Sequence, residues 1–220
     1  MLDFFLTNPH FVIVIGTAII CMCISFLVFL KERNPYLMRY VFFYCFSIIT
    51  SLQSSINPSI YISNIILALF FTYDFIFLLS FTEKVLIKEN KFYKSKYFII
   101  AIISIVIYFF NFENLKAINF ISGFYSFIIL FITIPFMRKY IKDKENKISI
   151  NEYQYWIVSG FFINSLATLT CSIMILFSKG NSTNTMYLLL FLTMYISWVI
   201  KYLMLIKSNL CLMKQIKFGA

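Results

Sequence analysis

Apolar residues fall into seven long blocks separated by short polar stretches, at 11–30, 36–52, 60–81, 97–112, 117–137, 155–178 and 186–206. Most of these blocks hold about 20 residues, the length a helix needs to cross a bilayer's hydrocarbon core, and they lack the two-residue alternation of barrel strands. The pattern predicts an all-α, integral membrane seven-helix bundle filling 1–206, followed by a short cytoplasmic tail at 207–220. The polar stretches carry turn chemistry: Asn34-Pro35 leads into the second run, and Gln53–Pro58 and Lys179–Thr185 are rich in chain breakers. Pro135 is expected to kink or end the fifth helix, because its ring removes a backbone donor.

Charge sets an orientation on this pattern. The stretches 31–39, 82–96 and 138–147 and the tail contain sixteen of the 19 Lys and Arg residues, whereas Lys116 and Lys179 are the two in the alternate turns. Basic loops stay on the cytoplasmic side, so the N-terminus is predicted outside and the C-terminus inside, in a cell inner (cytoplasmic) membrane, multi-pass. The net charge of +10 is therefore assigned to topology, with the lipid bilayer as partner and no role for nucleic acid. The first run is preceded by Asp3 and followed by Lys31-Glu32-Arg33, the reverse of a secretory leader, which makes it a retained helix.

Overall composition, 61% hydrophobic and 13% charged, adds little to that picture beyond excluding an ordinary soluble domain. Cys21, Cys23, Cys45 and Cys171 sit inside apolar runs and Cys211 in the tail, where they read as small buried hydrophobes and not as a disulfide framework. Catalysis finds no constellation: His10 has only Asp3 nearby, Glu83 and Glu152 lie at run boundaries, and no metal cluster or phosphate loop is present. The expectation is a non-enzymatic protein without cofactors.

Polar residues within the runs fall on single helical faces. Tyr40, Tyr44, Ser47 and Ser51 do so in the second, Asn119, Ser122, Gly123 and Ser126 in the fifth, and Gly160, Asn164, Thr168 and Cys171 in the sixth. Such stripes serve helix–helix packing in lipid. A sharper alternative is a polar pocket open to the outside, lined by Asn119, Asn164 and Thr168. Tyr155 and Trp156 fit an interfacial aromatic anchor.

Two charges remain at membrane depth, Asp74 in the third run and Lys201 in the seventh. Both runs descend toward the cytoplasm, and at about 1.5 Å per residue both charges lie about 8–10 Å from its inner edge. Submerged charges cost about 2.5–3.5 kcal/mol each near a helix centre and so face partners. The expectation is that Asp74 and Lys201 pair, or share a polar network with Tyr73, Ser197 and Trp198. The competing expectation is that Lys201 snorkels to the headgroups. A retinal-binding lysine is disfavoured, because Lys201 is near the inner edge, Ser197 stands where microbial opsins place an acid, and the third run has no arginine.

Tyr155–Ser178 and Tyr195–Lys207, with the Tyr155-Trp156 pair, Gly160 opening the sixth helix and Lys201 near the inner end of the seventh, resemble the end of the seven-helix membrane region of some bacterial sensor histidine kinases. The resemblance implies a sensory or accessory module. Only Ser208–Ala220 follow, so the expectation is a free-standing input module that signals through a cytoplasmic partner or another membrane subunit. The alternative function is a small carrier or channel with Asp74 as its proton or cation site.

The topology is tested with fusions. A fluorescent protein after Ala220 is expected to fluoresce, and alkaline phosphatase inserted at 181 is expected to be active; the opposite pair of results refutes the orientation.

Overall fold

The computed structural model describes residues 9–56, 70, 73–78, 80–81, 115–145, 152–177 and 184–218. Every one of these except Arg33 and Asn34 is helical. Five long helices result: α1 (Pro9–Glu32), α2 (Pro35–Ile56), α3 (Leu115–Glu145), α4 (Glu152–Phe177) and α5 (Asn184–Phe218). A helical segment at 73–78 represents the third apolar run, while the fourth run, 97–112, lies outside the described residues.

Among the described residues, three helical stretches are long and apolar enough to cross a membrane: Val12–Glu32, Glu152–Phe177 and Met186–Ile216. Ser122–Arg138 of α3 is apolar but shorter. α2 is not among them; its buried face carries Tyr40, Tyr44, Ser47 and Thr50 while Phe42 and Ile49 point outward. The distribution of polarity is that of a membrane protein. Exposed positions such as Ile13, Ile20, Leu27, Phe131, Leu188 and Leu203 are apolar, and the interior holds Ser, Thr, Asn, Asp and Lys. Apolar surface in lipid carries no hydrophobic penalty, so polar groups are driven inward.

Three helices outrun the expected limits by four residues or more at their C-terminal ends. α2 continues to Ile56 and α3 to Glu145, with Pro135 inside it; the proline does not end the helix. α5 continues to Phe218 where a tail from Lys207 was expected. The reason is a face that remains buried past Ile206: Ser208, Asn209, Cys211 and Leu212 all pack inward, and Lys207 and Lys214 occupy the exposed side.

The helices assemble around α5, which packs on α1, α2 and α4, while α3 packs on the far side of α4. The 73–78 segment occupies the angle between them, with Phe75 against Tyr125 of α3, Phe77 against Phe43 of α2, and Phe77 against Phe161 of α4.

The turn joining α1 to α2 shows how tightly the ends are specified. Arg33 takes a left-handed conformation (φ 47°) and its N–H bonds to the Phe29 carbonyl at 2.7 Å, an αL-type C-cap. Asn34 then caps α2, its Oδ1 accepting the Tyr36 N–H at 2.9 Å, and Pro35 fills the first helical position, where no donor is needed. A side chain in the left-handed region costs about 1–2 kcal/mol, which glycine avoids at an entropic cost of about 0.5–1 kcal/mol. Arg33→Gly is therefore expected to leave stability unchanged or raise it by up to about 1 kcal/mol. Thermal unfolding in detergent checks this; clear destabilisation would show that the arginine side chain holds the turn.

A buried ion pair and its polar surround

Close helix approach comes first. A Cβ built on Gly160 of α4 would stand 3.2 Å from Met204 Cβ and 3.3 Å from the Lys201 carbonyl oxygen. Glycine lets the two backbones meet closely at this level, where a Cβ would make its neighbours give by a few tenths of an ångström, and Lys201 lies buried beside it. Gly123 does the same between α3 and α4, where an added Cβ would lie 3.0 Å from Ser172 Cβ.

From this position Lys201 Nζ donates to Asp74 Oδ2 at 2.8 Å, with side-chain exposures of 0% and 3%. Four rings surround the ammonium: Phe161, Phe70, Phe43 and Tyr202, with centroids 5.1, 5.3, 5.5 and 5.8 Å from Nζ. Their electron-rich faces partly replace the solvation lost on burial. The lysine is directed into the bundle, and its snorkelling geometry does not occur. Asp74 Oδ1 is buried and accepts no hydrogen bond from a described residue.

The other expected site residues arrange themselves around this pair in two ways. Tyr73 turns onto Phe43 and Phe46, at 6.1 and 5.0 Å, and Trp198 packs against Phe70 and Tyr195. Both are packing partners of the cage. Ser197, one helical turn from Lys201, instead reaches 3.1 Å to Asn164 Oδ1 as well as 2.7 Å to the Met194 carbonyl. That contact joins the residues around the ion pair to those of the polar pocket. Thr168 lies one turn further along α4, buried, and its Oγ1 has no partner among the described residues. Asn119 is on α3, but its side chain lies outside the described ones.

Several polar contacts had no individual signal in the sequence. Ser208 Oγ donates to the Tyr153 carbonyl at 2.6 Å, so the Tyr40 hydroxyl, 2.7 Å away, is the donor to Ser208. Tyr44 donates to the Tyr202 carbonyl at 3.1 Å, Asn209 Nδ2 to Ser25 Oγ at 2.9 Å, and Gln154 Nε2 to the Phe81 carbonyl at 2.7 Å. Through these bonds α5 is tied to α1, α2 and α4, and through Lys201 to the third run. The stripe Tyr40–Tyr44–Ser47 pointed to the right face of α2 without indicating its partner helix.

At the predicted aromatic anchor, Trp156 Nε1 donates to Glu152 at 3.3 Å, Tyr155 stacks on Tyr140 at 4.4 Å, and Lys207 Nζ lies 5.8 Å over the indole. Among the described residues no group of three metal-ligating side chains converges.

Comparison with family models, with curated proteins and with solved structures finds no match for this chain.

Removing one member of a buried pair strands the other charge, which costs about 3–5 kcal/mol, whereas removing both can be nearly neutral. Asp74→Asn and Lys201→Met are each expected to lower stability by about that amount, and the double variant to recover most of the loss. Thermal unfolding of the four proteins in one detergent provides the cycle. Additive losses would contradict a direct pair.

Proposed function

We propose that the chain is a non-enzymatic, polytopic protein of a bacterial inner membrane. It acts as a stand-alone sensory or accessory module that signals through a partner chain. Seven helices cross the bilayer, the N-terminus is outside, and the basic loops and the end of α5 meet the cytosol.

The observation that carries this reading is the continuity of α5. One helix holds Lys201 in the buried pair and runs on to Phe218, presenting Lys207, Lys214 and Gln215 on its exposed side. A change at the ion pair therefore has a rigid route to the cytoplasmic end of the same element. The resemblance to the membrane regions of sensor histidine kinases points the same way, since their last membrane helix leads toward the output. A photo-crosslinking residue at position 214 or 215 is expected to capture a kinase or response regulator in cells, and Asp74→Asn is expected to change the yield. Recovery of the chain without any such partner counts against the sensor.

One observation favours a second reading, a small carrier or channel with Asp74 as its proton or cation site. Asp74 keeps a buried carboxylate oxygen without a partner among the described residues, and ionisable groups inside membrane bundles mark proton relays. In sealed vesicles this reading expects Asp74→Asn to abolish proton-coupled flux. Unchanged flux, or none in the native protein, excludes it.

A further inference from the structure

Hydroxyls within helices have a simple means of self-satisfaction, which is to donate to a carbonyl one turn back. Thr17, Ser47, Thr50, Thr133, Thr170 and Thr193 all do so, at 2.7–3.3 Å. The exposed Thr17, Thr170 and Thr193 face a surface that offers no other partner. Ser165 and Thr168 do not follow them. They are among the most enclosed side chains of α4, 1% and 3% exposed, and neither Oγ has a hydrogen-bond partner among the described residues. A buried hydroxyl that forgoes the back-bond is committed to some other polar species, because an unmade hydrogen bond there costs about 1–3 kcal/mol.

Helical spacing places Asn164, Thr168 and Cys171 toward α5, where Ser197 reaches Asn164 and Cys171 Sγ donates to the Leu190 carbonyl at 3.4 Å. Ser165 and Ser172 lie toward α3, where Ser122, Gly123 and Ser126 are buried. This polar seam starts one turn from Lys201 and rises toward the end where α4 finishes and α5 begins. On the opposite side of the pair the chemistry changes. Phe77 packs on Phe43, Phe81 and Tyr40 with centroids at 4.5, 5.0 and 5.5 Å, and Leu78, Ile157 and Val158 are fully buried.

We propose that Asp74 exchanges protons with water held along the Ser197–Asn164–Thr168–Ser165 seam, which opens toward the end of the bundle where α5 begins and is closed on the other side by aromatic packing. Water is the occupant whose chemistry fits: it gives and accepts with hydroxyls and amides at once, and a buried molecule needs two to four such partners. A proton delivered along it goes to Asp74 Oδ1, the carboxylate oxygen that Lys201 does not hold. Among the described residues, Tyr73, Tyr125 and Tyr202 are the other titratable groups that feel the Asp74 charge. This deepens the second reading above and rests on it for a physiological role, although hydration of the seam is tested separately from transport.

The test uses Thr168→Cys and Ser165→Cys in the full chain, in sealed vesicles of one orientation, with a small membrane-impermeant methanethiosulfonate cation and peptide mapping. Native Cys21, 0% exposed on α1, is the internal dry standard. Both introduced thiols are expected to react at least about tenfold faster than Cys21, and only from the side where α5 begins, since thiol modification follows access. Rates no higher than that of Cys21, or reaction from the opposite side, overturn the proposal. Should neither variant fold, radiolytic water footprinting of the native protein decides. Oxidation concentrated in 161–172 over 14–21 supports the seam, and equal oxidation overturns it. Reactive thiols with flux unaffected by Asp74→Asn would dismiss the carrier and leave the hydrated seam standing.

Discussion

A carboxylate and an ammonium, both withdrawn from solvent, must be held together by the chain or neither can stay charged. The Asp74–Lys201 contact therefore acts as a constraint on everything around it, whatever its net contribution to stability. Gly160 lets α4 and α5 close at the level from which Lys201 reaches Asp74. The ammonium can remain charged there because the rings of Phe43, Phe70, Phe161 and Tyr202 surround it. Those rings come from α2, the third run, α4 and α5, so solvating one charge fixes four elements relative to each other.

The same constraint divides the interior into two chemistries. Toward the start of α5 the buried groups are hydroxyls and amides, beginning with Ser197 and Asn164. Toward its far end Phe77, Phe81 and Tyr40 pack on one another, and hydrogen bonds tie Ser208 to Tyr40 and Tyr153 and Asn209 to Ser25. α5 touches both regions, which makes it the element most able to carry a change at the pair to the rest of the protein.

Much of this was legible in the residues. Run lengths pointed to the helices that are described, and the matched depths of Asp74 and Lys201 left two outcomes open, a pair or a snorkelling lysine, of which the contact shows the first. Where reading stopped, the reason is physical. The end of α5 carries Lys207, Lys214 and Lys217, which in sequence resemble a solvated tail, and only the packed face of Leu205, Ser208, Asn209 and Leu212 reveals a helix. Pro135 pointed to a kink or an end because a proline lacks a donor; α3 does not end there but runs on to Glu145. The aromatic cage was hidden by abundance: with 28 Phe and 15 Tyr, no spacing singles out the rings that converge on Lys201. The bond from Ser197 to Asn164 merged two groups of residues that periodicity could only present separately.

The central claim is that Lys201 is neutralised by Asp74 inside the bundle and not by lipid headgroups. Solid-state NMR in bilayers measures this directly, through the dipolar coupling of the Lys201 ζ-nitrogen to the Asp74 carboxyl carbon and to lipid phosphorus. A strong coupling to the carboxyl carbon, consistent with the 2.8 Å nitrogen–oxygen contact, is the expected result. Coupling to phosphorus without coupling to Asp74 would contradict the account.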